Sequence, residues 1–135
     1  MHECPFCPSN PSLDNETLLQ NDYCRLIQSR DPILESAMMI VPIRHVTTPF
    51  DLTPEEWMAT HGLLIDAKRL LDNEHPDGYS IGWNVNPVGG QSVPHTHLHI
   101  IARFADEPLA GQGIRHALKQ PMNRRGLGSI TEIKG

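Results

Sequence analysis

The sequence contains no apolar run approaching the roughly 20 residues that a transmembrane helix needs, which argues against a membrane protein. Its first residues show neither the basic nor the apolar region of a secretory signal peptide, so we expect a cytoplasmic protein. An excess of positive charge is also missing, since 11 Lys and Arg face 16 Asp and Glu. Because proteins that bind double-stranded nucleic acid usually carry a basic surface, we expect no nucleic-acid partner.

Cysteine is scarce as well, with three residues at Cys4, Cys7 and Cys24. An odd number of cysteines without a secretory pattern argues against the disulfide framework of small secreted proteins. In a reducing cytoplasm, the closely spaced Cys4 and Cys7 point to metal or redox chemistry before a disulfide. A redox pair would need a thioredoxin-like βαβ context, which is missing, so a metal site or two unrelated loop thiols remain. Cys24 lies in an apolar run and is predicted to be a small core residue.

Length and composition predict one globular domain over residues 1–135. A chain of this length is an ordinary single domain, and contents of 39% apolar and 20% charged residues are typical of globular proteins. Residues 1–16 are rich in Pro, Ser and Asn and form a predicted loop-like lead-in. Residues 105–135 form a C-terminal extension that we expect to be partly mobile.

One long helix is predicted over residues 54–73. Thr53 is a suitable N-cap, Pro54 suits the first helical position, and Glu56 completes a capping box. One predicted stripe at helical spacing consists of Trp57, His61, Leu64, Lys68 and Leu71, with Leu63, Ala67 and Leu70 beside it.

Strands are predicted on both sides of this helix, at residues 23–29, 37–43, 79–86 and 95–103. A short C-terminal helix is predicted over residues 114–120, ended by Pro121. The order of strands, one long helix and further strands favours an α+β fold with an antiparallel sheet over a doubly wound parallel sheet.

Three histidines alternate with other residues in the last predicted strand. Because side chains of a strand alternate between its faces, His95, His97 and His99 are expected on one face. Three interpretations are open: a solvent-exposed strand that happens to carry histidine, a metal site, or phosphate chemistry in which imidazole is the nucleophile.

The residues just before the histidines favour phosphate chemistry. Gly89 and Gly90 permit close approach of the backbone to a ligand, and Ser92 offers a hydroxyl and an amide to an anion. Two glycines alone are weak support, whereas a Gly-Gly-Gln-Ser run directly before three alternating histidines is much stronger.

The segment Gln91–Ile101 resembles the signature of the histidine-triad nucleotide hydrolases and transferases, the HIT family. Four upstream segments fall, in order, where that family has counterparts: Cys4–Cys7, Ile40–His45, Asp51–Glu56 and Gly82–Val85. The resemblance covers residues 4–104 and implies a HIT-like fold. That fold is α+β, with an antiparallel sheet of about five strands, one long helix and a short C-terminal helix.

The resemblance also implies residue roles. His97 would attack the α-phosphate of a nucleotide and form a covalent nucleotidyl-imidazole. The main-chain carbonyl of His95 would orient the ring of His97, and His99 would contact phosphate oxygens or assist the leaving group. The expected nucleotide- and phosphate-binding residues are Asn84, Gln91, Ser92, Val93, Ile27 and Asp31. An interpretation of Ile27 as a core residue has equal weight. For the acid that binds the ribose in the family, ungapped alignment gives Ser29, and Asp31 lies two residues later.

Two positions depart from the family pattern. Thr96 stands where the motif usually has an apolar residue, which is a mild change. Ala37 stands where many members carry a further histidine close to the triad. This change keeps open a non-catalytic nucleotide-binding or adaptor protein on the same fold. A third possibility is a metal-centred site that uses all three histidines and no nucleotide.

A metal site is the last expectation. A tetrahedral zinc ion needs four ligands. The resemblance implies a Cys-Cys-His-His site of the kind found in some family members, and the residues here would be Cys4, Cys7, His45 and His95. Such a structural Zn²⁺ would tie the lead-in to the sheet. The resemblance further implies a homodimer and a purine nucleotide or dinucleotide substrate.

Overall fold

A computed structural model describes residues 4–126 of the chain. Within this range, five strands form one antiparallel sheet in the order β1-β2-β3-β5-β4. The strands are β1 (Thr17–Gln20), β2 (Cys24–Gln28), β3 (Ala37–Pro42), β4 (Gly78–Trp83) and β5 (Leu98–Arg103). A single turn of helix, α1 (Leu13–Glu16), precedes the sheet, and the long helix α2 (Pro54–Leu71) connects β3 to β4. The predicted α+β class with an antiparallel sheet is confirmed.

Two strands differ from the sequence prediction. The edge strand β1 was not predicted, because its four residues are mostly exposed and show no apolar alternation. Strand β5 begins at Leu98, three residues later than predicted. The amide of Thr96 donates to the carbonyl of Val46 (2.7 Å), and the amide of His95 donates to that of Val93 (2.8 Å). His95 and His97 therefore belong to an irregular segment that leads into β5.

Helix α2 begins as predicted. The amide of Glu56 donates to the hydroxyl of Thr53 (3.1 Å), and the Thr53 amide donates to the Glu56 carboxylate (2.9 Å), which completes the capping box. The helix ends at Leu71, and a 3-10 turn over Asp72–Glu74 follows it. His75 then adopts a left-handed conformation with φ of 57° and ends the turn.

The buried face of α2 is rotated away from the predicted stripe, toward Leu63 and Ala67, which were predicted beside it. The residues that face the sheet are Glu56, Thr60, Leu63, Ala67 and Leu71, whereas Trp57, His61 and Lys68 are exposed. Polar residues occupy the buried face because their groups are paired. Arg44 donates to the Glu56 carboxylate (2.8 and 3.0 Å), and the Thr60 hydroxyl donates to the carbonyl of Glu56 (2.7 Å).

Separate apolar clusters cover the two faces of the sheet. The helix-side core joins α2 to one face through Leu26, Met38, Ile40, Leu63, Ala67, Leu71, Leu98 and Ile100. The lead-in core packs the first part of the chain on the other face through Cys4, Phe6, Cys7, Leu13, Ile27 and Val41. Neighbours such as Leu26 and Ile27 belong to different cores because adjacent side chains of a strand point to opposite faces.

The predicted short helix over residues 114–120 does not form. Isolated turns replace it, with amides of His116 and Lys119 donating to carbonyls of Gly113 and Arg115 (both 3.0 Å), and a 3-10 turn follows at Pro121–Asn123. Ile114 and Leu118 are 64% and 65% exposed, so no buried apolar face stabilises a helix of this length. The last part of the predicted extension, residues 127–135, and residues 1–3 of the lead-in lie outside the described range.

Arg103, the last residue of β5, holds the start of the C-terminal segment against the sheet. Its guanidinium donates to the carbonyls of Gln112 (2.8 Å) and Leu109 (3.0 Å) and to the hydroxyl of Ser80 (2.9 Å).

In residues 4–126, no helix combines the length and apolar character needed to cross a membrane.

Candidate active site and metal centre

The His97 imidazole is buried and held in one orientation. Its Nδ1 lies 2.8 Å from the carbonyl oxygen of His95, which accepts a hydrogen bond from the Nδ1–H group. In the neutral ring this leaves Nε2 without a proton and with a lone pair. Burial lowers the pKa of His97, although the hydrogen bond to the His95 carbonyl opposes this shift. The ring is therefore set up as a neutral nucleophile with a defined reactive nitrogen.

Two rings contact the His97 imidazole. His99 lies at 5.0 Å between ring centroids with an interplanar angle of 74°, and Phe6 lies at 5.1 Å with an angle of 64°. His99 is the second residue of β5 and pairs with Met39 of β3 and Gly82 of β4. Burial is the larger cause of the lowered pKa of His99, and electrostatic repulsion from the neighbouring His97 is the smaller one. Both imidazoles thus belong to one partly desolvated site at the start of β5.

His95 joins this site to a second cluster. Its Nε2 donates to the carbonyl of Pro42 (2.8 Å), which directs Nδ1 toward the lead-in. From that Nδ1, the distances are 3.2 Å to the Cys4 Sγ, 3.5 Å to the Cys7 Sγ and 3.2 Å to the His45 Nδ1. The Cys7 Sγ is also 3.2 Å from the His45 Nδ1. The predicted ligands Cys4, Cys7, His45 and His95 therefore converge, with all four ligand atoms within 4.8 Å of one another.

This donor set fits a tetrahedral zinc ion. Zinc bonds of about 2.0–2.3 Å to nitrogen and sulfur place neighbouring ligand atoms roughly 3.3–3.8 Å apart, close to the distances observed here. Three of the four ligands, all except His45, are buried, which is typical of a structural rather than an open catalytic site. Burial and the neighbouring Cys4 raise the pKa of Cys7 to about 11, so a bound cation would be needed to stabilise the thiolate.

The loop before the histidines is held by Gln91. Its side-chain oxygen accepts a hydrogen bond from the Asn86 amide (2.7 Å), and its Nε2 donates to the carbonyls of Thr47 (2.7 Å) and Val93 (3.0 Å). Gly90 has φ of 99°, which favours glycine, and a Cβ at this position would lie 3.4 Å from the Asn84 side chain. The buried Gln91 amide thus fixes the loop, and Gly90 allows the loop to pass close to Asn84.

The remaining predicted nucleotide-binding residues have different environments. Asn84 and Ser92 are exposed, and Val93 is half-buried against the lead-in core. Ile27 is fully buried in the lead-in core, which agrees with its interpretation as a core residue. The Asp31 carboxylate accepts hydrogen bonds from the amides of Ile33 (2.8 Å) and Leu34 (3.1 Å), closing its own exposed turn.

The sequence interpretation missed Phe6. The ring is buried and contacts both His95 and His97, with centroid distances of 6.0 and 5.1 Å. Its position between Cys4 and Cys7 could have predicted this contact. If both cysteines belong to a cluster with His95, a side chain between them must lie near the histidines. The sequence interpretation treated that turn only as a source of metal ligands.

The family model of the HIT domain matches residues 10–106, more than half of the chain. The chain belongs to the HIT domain family. This agrees with the resemblance inferred from the triad, and the family is one of nucleotide hydrolases and transferases. The HIT assignment covers the whole sheet, helix α2 and the three histidines.

Relatives and solved structures support this assignment. The chain is 26% identical over 105 residues to the purine nucleoside phosphoramidase of Escherichia coli (strain K12), covering 76% of this chain and 88% of that protein. It is 31% identical over 72 residues to the AP-4-A phosphorylase of Mycobacterium tuberculosis (strain ATCC 25618 / H37Rv), covering 52% and 37% respectively. A HIT family protein from Bacillus subtilis shares the fold with a TM-score of 0.69 at 20% identity, over 78% of this chain and 76% of that chain.

Within this HIT domain, the structure separates the three histidines. In the described part of the chain, the cluster with metal-ligand geometry contains His95 but neither His97 nor His99, which contradicts a metal centre built from all three. Ala37 is buried on β3 opposite Ile101, two residues from Met39, the partner of His99. The position that differs from the family pattern is therefore close to the triad.

Proposed function

We propose that this HIT protein cleaves a nucleoside 5′-phosphoryl bond through a covalent intermediate on His97. The observation that carries this proposal is the 2.8 Å hydrogen bond from the His97 Nδ1 to the His95 carbonyl. It leaves the Nε2 lone pair as the nucleophile, which is the arrangement that nucleophilic catalysis requires. The contact with His99 supports assigning that residue to the phosphate oxygens or the leaving group.

The reaction proceeds in two displacements. The Nε2 lone pair of His97 forms a bond to the α-phosphorus, and the bond from phosphorus to the leaving group breaks with its electron pair. The leaving group takes a proton from His99 or from water. Water or another acceptor then attacks the phosphorus, regenerates His97 and releases the nucleotide product. Exposed Ser92 and Asn84 supply donors to the phosphoryl oxygens, whose developing charge such donors stabilise.

The proposed substrates are purine nucleotides whose α-phosphate carries a leaving group: a dinucleoside polyphosphate, a nucleoside phosphoramidate or an adenylylated adduct. The names of two relatives, a purine nucleoside phosphoramidase and an AP-4-A phosphorylase, support this range. We place the enzyme in the cytoplasm as a homodimer. Support for the dimer comes from the edge strand β4, where Ile81 is exposed and Trp83 packs against the exposed Trp57.

We further propose that Cys4, Cys7, His45 and His95 hold a structural Zn²⁺. The ion would supply the positive charge that the two thiolates need and would tie the lead-in to the catalytic segment. The reacting nitrogen belongs to His97, which is not among the proposed ligands. Elemental analysis of the purified protein is expected to give one zinc per chain. A protein that lacks zinc and is fully active would overturn this assignment.

The catalytic proposal is tested with wild type, His97→Ala and His61→Ala, the last being an exposed histidine on α2. Each is incubated with adenine and guanine phosphoramidates and dinucleoside polyphosphates. We expect turnover by wild type and His61→Ala, and a loss of at least about 10³-fold in His97→Ala. Trapping the labelled nucleotide on wild-type protein by a denaturing quench at alkaline pH would identify the covalent intermediate, because a bond from phosphorus to an imidazole nitrogen hydrolyses in acid.

A second candidate, a non-catalytic nucleotide-binding or adaptor protein, is favoured by Ala37. This small residue replaces a histidine that many family members carry beside the triad, so the nucleophile is present without one of its usual neighbours. Nucleotide binding by wild type without turnover on any substrate in the panel would select this candidate over the enzyme.

A further inference from the structure

Phe6 lies between the metal cluster and the proposed nucleophile. It lies between the two thiols of the metal cluster, is only 9% exposed, and contacts the imidazole of His97 as well as that of His95. The lead-in therefore reaches the proposed nucleophile directly, in addition to the path through the His95 carbonyl. These contacts join the metal cluster to the catalytic ring by two separate routes.

The two routes restrain different motions of the His97 ring. The hydrogen bond from Nδ1 to the His95 carbonyl fixes one atom of the imidazole, but the ring can still tilt about that contact. A packed aromatic neighbour at 5.1 Å limits the tilt because the ring would collide with it or leave a void. Accurate aim matters here, since attack on phosphorus needs the lone pair aligned with the bond that breaks.

Phe6 is itself held firmly. The Cys7 amide donates to the carbonyl of Cys4 (3.2 Å), and the Cys7 carbonyl accepts from the Asn10 amide (2.9 Å). The Asn10 side chain also donates to the carbonyl of Pro5 (2.8 Å). The backbone on both sides of Phe6 is thus tied into one compact turn, which fixes the point from which the buried ring extends toward His97.

We propose that Phe6 is a positioning residue that restrains the His97 imidazole in its attacking orientation through direct ring packing. This inference deepens the proposed function and rests on it for its kinetic consequences. It also has a structural consequence, a single ring orientation and tautomer of His97, that does not depend on turnover.

The test compares three variants with wild type. Phe6→Leu keeps an apolar side chain but removes the ring, and Phe6→Tyr restores an aromatic ring. Leu13→Val is the matched control, because Leu13 is buried in the same lead-in core and is not among the ring partners of His97. Two measurements are made on zinc-loaded protein: the side-chain ¹⁵N spectrum of His97, which reports its tautomer, and kcat and KM on the best substrate of the panel.

Wild type, Phe6→Tyr and Leu13→Val are expected to show one Nδ1-protonated tautomer of His97. In Phe6→Leu, a tilted His97 ring would weaken the Nδ1 hydrogen bond that selects the tautomer. This variant is therefore expected to show averaged tautomers and a kcat lower by roughly tenfold, with KM unchanged. A wild-type spectrum in Phe6→Leu, an equal loss in Leu13→Val, or a change confined to KM would each overturn the proposal. Absence of wild-type turnover would count against the proposed function alone, because the tautomer measurement still decides the role of Phe6.

Discussion

The two faces of the sheet are covered in different ways. On one face, an 18-residue helix buries Leu63, Ala67 and Leu71 in an apolar core, and its buried polar residues Glu56 and Thr60 are hydrogen-bonded. On the other face, a short lead-in with one helical turn covers the strands through a few apolar residues, and its Cys4 and Cys7 meet His45 and His95 in a cluster that could hold a metal ion. The helix side resembles an ordinary core, whereas the lead-in side depends on a small number of polar contacts.

The two faces differ in how strictly they fix the orientation of a side chain. Apolar burial is nondirectional and tolerates substitution, so the helix-side core can hold the sheet together without specifying any one ring orientation. Metal coordination and hydrogen bonds are directional, and they lie where His97 must be aimed. We therefore expect perturbations of the two faces to have separable effects.

The largest effect on stability is expected from removal of the metal. A chelator, or the variant Cys7→Ser, should release the lead-in and lower the free energy of unfolding by about 4 kcal/mol where free zinc exceeds its Kd a thousandfold. Thermal unfolding with and without chelator measures this. Cys24→Ala is the control, because Cys24 is buried in the helix-side core. Loss of the response to chelator in Cys24→Ala would contradict the separation of the two faces.

A smaller effect is expected from truncation in the helix-side core. Leu63 is 2% exposed, and Leu63→Ala should cost about 3 kcal/mol through lost burial and the cavity left behind. Urea unfolding gives the change, and elemental analysis should find the zinc content of the folded variant unchanged. The control is Met58→Ala on the same helix, where the residue is 75% exposed and a change within about 0.5 kcal/mol is expected. Loss of zinc from folded Leu63→Ala would show that the two faces are coupled.

The smallest effect concerns Glu56 and pH. The hydrogen bonds from Arg44, opposed by burial, lower the pKa of Glu56 below its ordinary value of 4.5. A carboxylate with a lowered pKa stabilises the fold above pH 4.5, and this contribution is lost as the pH falls through the folded-state pKa. The stability difference between wild type and Glu56→Gln should therefore shrink on acidification below pH 4.5. Glu55→Gln, at an exposed neighbour, should show a weaker dependence, and identical profiles for both variants would refute the assignment.

Local signals in the sequence predicted much of this molecule. The capping box at Thr53 and Glu56 needs only four consecutive residues, so it could be identified without the fold. The convergence of Cys4, Cys7, His45 and His95 was also anticipated, because the family resemblance grouped these four residues as candidate ligands. These features depend on spacing or on chemistry that few residue types can perform.

Other features depended on tertiary contacts. The buried face of α2 was misplaced because Glu56 and Thr60 look like surface residues until the partners of their polar groups are known. The start of β5 was set too early because the pairing of the Thr96 amide with Val46 lies outside the sheet. The contact of Phe6 with His97 could not be predicted from local signals either, because the two residues are far apart in the sequence.

The contact between Cys4 and His95 closes a loop of 91 positions, and that between His45 and His95 closes one of 50. During synthesis, Cys4, Cys7 and His45 therefore emerge first, and His95 follows them by several seconds at roughly 5–20 residues per second. A zinc ion captured early would have only three protein ligands until β5 joined the sheet. The proposed fourth ligand, His95, and the proposed nucleophile, His97, are two residues apart, so nascent chains would complete the metal site and present the reactive histidine in the same step.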